Sequence, residues 1–252
     1  VRKWIVALLF VAVPAAGQLN NIFAAGETLD FDLTWLAITG GAMRMTIGPA
    51  PNDPSHFRIT SVAKTNPSFA MILKVDDEVM SIVNRSDFST VRYEKHLVEH
   101  NKPKDDVTTI NEAAKTATRE RPSHTPQVVA VPKPVFDPLS LVYHLRSLPL
   151  KPGTVQRFTV YADAKVYTLE ANVLRTETIG TDGAGTFQTV VVEPKMLAGS
   201  IFKDEGAMTI WFTDDERHIP VRIRSELKVG SITANLRTIH SGAGDPQPVT
   251  GR

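Results

Sequence analysis

Residues 27–36 read ETLDFDLTWL, and the alternation within them decides the fold. Leu29, Phe31, Leu33 and Trp35 fall on one side of an extended chain, with Thr28, Asp30, Asp32 and Thr34 on the other. Successive side chains of a strand point to opposite faces, so this period of two marks a strand buried on one face and wet on the other. Thr39, Gly40 and Gly41 then turn the chain, and Met43, Met45 and Ile47 continue the apolar face opposite Arg44 and Thr46. The pattern recurs at 56–64, 75–84, 90–99, 106–110 and 115–121. It resumes at 155–163, 166–175, 186–193, 206–213, 218–228 and 231–240. Turn signals such as Gly183, Ala184 and Gly185 separate most of these stretches. Long strands in short-loop succession predict a mainly β protein, an antiparallel meander curled into a barrel or half-barrel.

Two short helices are expected within it. Asn66 and Pro67 serve as N-cap and first-turn proline for a helix over 66–73. Asp137 and Pro138 repeat the device for a helix over 137–148, which is apolar on most sides and stops at Pro149. So apolar a helix is buried, and the concave side of the sheet is the place to bury it. The proline-rich stretch 122–134 lacks periodicity and reads as an extended surface link. Residues 26–240 are taken as one β-rich domain, two lobes hinged near residue 135 being the alternative. Residues 241–252 read as a disordered tail.

The N-terminus has the marks of an export signal. Arg2 and Lys3 precede a ten-residue apolar run, WIVALLFVAV at 4–13, too short to span a bilayer as a stable helix. Pro14 breaks that run, and Ala15, Ala16 and Gly17 supply small residues for cleavage after Gly17. A second site lies after Ala24 or Ala25, and an uncleaved anchor is the competing reading. The expected location is the periplasm, with no transmembrane segment once the signal is removed. The chain contains no cysteine, which leaves no thiol for lipid attachment, disulfide staples, thiol catalysis or cysteine-ligated metals. Removing Arg2 and Lys3 from 28 basic residues leaves 26 against 27 acidic ones, a net charge near −1. That balance argues against a nucleic-acid binder.

Several blocks together resemble the exported bacterial proteins grouped as domain of unknown function 3108. They are GETLDFDLTW at 26–35, VRYEKH at 91–96, DPLSLVYHLRSLPLKPG at 137–153, GTFQTVVVEPK at 185–195 and IWFTDDERHIPVRIRSEL at 210–227. The resemblance spans nearly all of the mature chain. It implies a β-rich envelope protein with a signal peptide and no assigned activity, and it brings no catalytic residues with it. The layout is also similar to half-barrel lipoprotein carriers of the periplasm, which implies an apolar ligand pocket.

Candidate chemistry is sparse. No G-x-S-x-G elbow is present. His96 and His100, with Glu94 and Glu99 nearby, invite a metal reading, but residues four apart on a strand lie roughly 13 Å from one another. No metal or cofactor is therefore expected. Asp214 and Asp215 fall in a turn, where aspartates cap the local backbone. Asp77 shares a face with Val75 and Val79, and a buried carboxylate there needs a partner such as Arg85 or Arg92. These three carboxylates are the candidates for an envelope hydrolase acting on glycan or lipid, which requires two of them to converge. Arg222, Arg224 and Lys228 alternate with apolar neighbours into a basic stripe suited to an anionic envelope component. Trp35, Met43 and Met45 suit an adaptable apolar pocket and equally an ordinary core. The sequence thus points to a non-enzymatic envelope protein that binds or carries an apolar or amphipathic lipid or glycan. The alternatives are the carboxylate hydrolase and a structural scaffold subunit; oligomeric state and strand pairing stay open.

Overall fold

The computed structural model describes residues 16–36, 38–71, 74–99, 102–197, 207–227 and 230–242. The apolar run at 4–13, Lys228, His100 and most of the tail lie outside the described residues. The predicted alternation becomes β1 (Glu27–Trp35), β2 (Ile38–Ala50), β3 (Asp53–Thr65), β4 (Asp76–Asn84), β5 (Thr90–Glu99), β6 (Lys102–Asn111) and β7 (Thr116–Glu120). A short β8 (Gln127–Ala130) adds to the edge within the stretch expected to be a featureless link. After the second helix come β9 (Val155–Ala162), β10 (Lys165–Thr181), β11 (Gly185–Met196), β12 (Met208–Thr213), β13 (Pro220–Glu226) and β14 (Ser231–Ser241). All belong to one antiparallel sheet in the order β8-β7-β6-β5-β4-β3-β2-β1-β14-β13-β12-β11-β10-β9.

The first and last strands therefore pair at the middle of the sheet. Leu29 faces Met45 on one side and Ile239 on the other, and Phe31 faces Met43 and Leu236. The clean alternation of β1 follows from that central place, since a strand paired on both edges has only its faces left to differ. Arg237 is an extra residue in β14: Asp30 faces Thr238 but Phe31 faces Leu236, a bulge that bends the sheet at its centre.

The curled sheet does not close. Its two edges, β8 and β9, are consecutive in the chain and do not pair. The segment between them bridges the seam. Phe136 N–H donates to the Thr159 carbonyl (3.0 Å) and its own carbonyl accepts from Tyr161 N–H (2.8 Å). Thr90 N–H in β5 donates to the Val135 carbonyl at 2.9 Å. Across the same seam, Asp163 in the β9–β10 turn takes Lys95 of β5 at 2.5 Å and Arg119 of β7 at 3.1 Å.

Helix α2 (Pro138–Arg146) replaces the predicted helix over 137–148, ending two residues early. Asp137 caps it, accepting from the backbone N–H groups of Leu139 (2.8 Å) and Ser140 (2.9 Å). Ser81 and Thr90 hydroxyls donate to the same carboxylate, which fastens the start of α2 to β4 and β5. Leu139 and Tyr143 face one apolar cluster, Leu141 and Leu145 another, so α2 is a wedge in the trough between the two halves of the sheet. Where a helix over 66–73 was expected, a single 3-10 turn (Phe69–Met71) is present among the described residues. Residues 18–25, between the expected cleavage after Gly17 and the β-rich domain, fall in a further helix, α1 (Ala16–Ala25). Phe23 of α1 is fully buried. It meets Phe57, Phe88 and Tyr143 edge-on at 6.0, 5.8 and 5.7 Å. No helix among the described residues is long and apolar enough to cross a membrane.

Candidate functional site

In an antiparallel meander the turns alternate between the two ends of the sheet. One end holds the β2–β3, β4–β5 and β12–β13 turns; the other holds the β1–β2, β3–β4 and β13–β14 turns. The inner face differs between them. Toward the first end Phe31, Ile47, Phe57, Ile59, Val83 and Leu236 are all at least 98% buried. Toward the second, on the same strands and the same face, Leu33, Met43, Ser61, Ala63, Val79 and Ile232 are only half-buried. The concave side is thus packed shut at one end and open at the other.

The closed end owes its seal to both helices and to one buried ion pair. Glu27, the first residue of β1, takes Arg146 of α2 in a two-point contact at 2.6 and 3.0 Å, with neither side chain exposed. Arg217 from the β12–β13 turn reaches the same carboxylate at 3.1 Å. Burial pushes the Glu27 carboxyl up, but the Arg146 and Arg217 guanidiniums outweigh it and hold the group below the usual carboxylate range. The Arg146 guanidinium also lies 4.9 Å from the Phe23 ring centroid.

The open end is an apolar mouth. Leu33, Met43, Val79 and Ile223 line its wall, and Val142 of α2 packs against both apolar clusters beneath it. Trp35 stands at the rim, half-buried, with its ring edge-on to Phe69 at 5.9 Å. Gly40 allows that contact, because a Cβ there would lie 2.6 Å from the Phe69 ring. A separate narrow cleft sits at the closed end between the β6–β7 turn and residues 131–135. It is too narrow inside for anything larger than a water molecule, so its chemistry does not compete with that of the mouth.

Trp35 and Met43 thus meet at the mouth, while Met45 lies deeper, 3% exposed, in the core. Arg222 is engaged in holding the long β10–β11 hairpin. It donates to Asn235 Oδ1 (2.7 Å) and to the Gly180 carbonyl (3.1 Å) and lies over Trp211. Arg224 pairs with Glu226 at 2.9 Å. The carboxylates do not converge. Asp77 is at the open end, where its Oδ1 accepts from Val98 N–H (3.0 Å) just beyond the β4–β5 ladder. The expected partners have other contacts: Arg92 pairs with Glu94 and Arg85 donates to the Pro54 carbonyl. Asp214 and Asp215 sit at the closed end. Asp215 Oδ1 there accepts from the Thr213 hydroxyl and from the N–H groups of Arg217 and His218. His96 bonds Asp105 at 2.8 Å, and that bond raises its pKa. Among the described residues no three His, Asp or Glu side chains are grouped to hold a metal ion.

Val79 and Ile223 were not singled out as pocket residues from the sequence, because each looks like any inward strand residue. Only the position of α2 at one end of the trough sets their exposure apart from that of Phe31 or Val83.

A family model described as "Protein of unknown function (DUF3108)" matches residues 30–237. None of the curated proteins matches the chain. Among solved structures, the chain is similar to the β-barrel-like protein of domain of unknown function DUF1849 from Brucella abortus. The TM-score is 0.59 and the identity 11%, with 86% of this chain and 98% of that one covered. It is also similar to a protein with a YmcC-like fold from Bacteroides fragilis, at TM-score 0.32 and 10% identity over 85% of this chain and 95% of that one. The first likeness establishes a shared curled β fold; the second is too distant to carry an argument.

Proposed function

The chain belongs to the DUF3108 family of proteins of unknown function, and from that footing we propose that it is a non-enzymatic envelope carrier. Its mouth holds an apolar or amphipathic lipid or glycolipid outside the cytoplasm. The observation that supports this reading is the burial gradient along the inner face, closed by α1 and α2 at one end and open onto Leu33, Met43 and Val79 at the other. An apolar wall left half-wet by the protein's own helices is stabilised by an apolar occupant, at roughly 25 cal/mol per Å² covered. Met43 suits such a wall because its unbranched thioether adapts to differently shaped chains. The export signal read at 1–17 supports a periplasmic carrier. Asp77 lies at the opposite end from Asp214 and Asp215, and Asp215 caps its own turn, which gives the hydrolase reading little support.

The test is uptake of cis-parinaric acid, a fluorescent fatty acid, by the purified protein. Saturable uptake is expected, weakened about tenfold or more by Met43→Asp, since charge at a desolvated apolar contact is costly. The milder Met43→Gln provides a second variant should the charge impair folding. Asp214→Ala and Asp215→Ala leave uptake unchanged. Absence of saturable uptake, together with protein that comes from its own envelope without lipid in native mass spectra, contradicts the proposal.

A further inference from the structure

We propose that Lys95 and Arg119 form a seat for the anionic head of an acyl cargo, in which the Asp163 carboxylate stands as a placeholder; this rests on the carrier reading. Most of the inner face is apolar, but next to the seam it turns charged. The register fixes where. Lys95 of β5 stands directly opposite Val79, a residue of the mouth wall, and on its other side opposite Asp106 of β6. Arg119 of β7 stands opposite Thr108, the next inward position of β6. A tail lying along Met43 and Val79 thus brings its head to Lys95, one strand spacing of about 5 Å farther on.

The seat already holds a carboxylate. Lys95 Nζ and Arg119 Nη2 both donate to Asp163 Oδ1, at 2.5 and 3.1 Å. The two acids beside these cations differ in standing. Asp106, its side chain 3% exposed, is sealed into the sheet as the partner of Arg119. Lys95 lies 3.9 Å from that carboxylate and has its close contact with Asp163 instead. Asp163 is 45% exposed and reaches in from the β9–β10 turn, where it and Ala164 hold left-handed φ of 50° and 60°. A half-exposed turn carboxylate is readily rehydrated when it leaves, whereas an amine beside an apolar wall is costly to leave without a partner. The same amine and guanidinium therefore suit a carboxylate or phosphate oxygen on a cargo chain.

Charge favours an anion once Asp163 is displaced. The cations around the seat are Lys95, Lys104 and Arg119, and the anions are Asp77, Asp106 and Asp163. Lys104 faces Leu97 one step nearer the open end, and its charge also acts on Asp163. Asp77 accepts from Val98 N–H beside it. With Asp163 in place, three cations meet three anions and the set is neutral. With Asp163 withdrawn, three meet two, and one positive charge is left for the head to answer. Glu94, His96 and Asp105 contact one another on the convex side and take no part.

Uptake of cis-parinaric acid against that of its methyl ester, at pH 7, tests this. The wild type is expected to hold the acid about tenfold more tightly, since only the acid answers Lys95 and Arg119. Lys95→Met removes that preference and Lys95→Arg keeps it. Asp163→Asn retains the turn, because asparagine accepts a left-handed φ, and tightens acid uptake about threefold or more by removing the competitor. Ester uptake does not follow, as it would if loss of the seam contact only widened the mouth. Displacement by palmitate or by lysophosphatidic acid tells a carboxylate head from a phosphate head, and at least one of them outcompetes hexadecanol. Equal uptake of acid and ester by the wild type overturns the seat and leaves the carrier reading standing. So does an Asp163→Asn variant that fails to tighten acid uptake or tightens both probes alike, and so does hexadecanol displacing as well as either acid. No saturable uptake of either probe removes the carrier reading, and the seat with it.

Discussion

Glu27 opens the central strand, and in the sequence it looks like one more polar residue at a strand start. Its carboxylate is instead wholly buried against Arg146, 119 positions away, with Arg217 sharing the load. Removing one partner leaves the other charge buried and uncompensated, so Glu27→Gln should cost about 3–5 kcal/mol of stability. Joint replacement of Glu27 and Arg146 by methionine should cost far less, because no charge is then stranded. The pair also sets a pH dependence. Glu27 has its pKa lowered on folding from an ordinary value of 4.5. Its contribution is therefore fully present above 4.5 and is lost as pH falls through the lower folded value. Urea titrations at pH 7 and near pH 3 should show a smaller loss in Glu27→Gln than in the wild type, the remainder belonging to other paired carboxylates such as Asp30 and Asp163. No reading of residue types finds this pair. Each partner is an unremarkable charged residue until the fold brings three distant segments together.

At the scale of elements, the strands were legible and α1 was not. Each strand buries one face, so its period is written locally, and β1 through β7 fall close to where alternation placed them. The stretch AGQLNNIFAA carries the small and polar residues of a cleavage region, and its helix is stabilised by what Phe23 touches elsewhere. That ring is a plug. Phe23→Ala should cost about 3–5 kcal/mol, read as a lower denaturation midpoint, since the surrounding Phe57, Phe88 and Tyr143 cannot collapse into the space. A mature chain starting at residue 18 keeps the plug, and one starting at residue 26 loses it and should unfold at correspondingly lower urea. The 3-10 turn at Phe69–Met71 shows the opposite case. Local signals for a helix start were present, but packing of Phe69 onto Gly40 and Trp35 holds the segment as a single turn.

For the whole molecule, the curled sheet follows from patterning, whereas the order of its strands does not. Pairing of β1 with β14 joins residues some two hundred positions apart, and no local period encodes that choice. Once made, it leaves β8 and β9 as edges and places α2 in the trough between them. The half-open inner face is a consequence of where α2 and α1 stop. Trp35 and Met43 were legible as pocket candidates by residue type, but their difference from Met45 is one of depth, which only the closed end defines. The six methionines sample this geometry conveniently. Met43 lies half-buried on the mouth wall and Met45 in the core beneath. Met80 faces the convex side, opposite Thr60 and Glu94. Methyl-labelled methionine spectra recorded while parinaric acid is titrated should therefore show a saturable shift of Met43, with Met80 unmoved. Saturable binding that moves Met80 and leaves Met43 in place would contradict the carrier account directly.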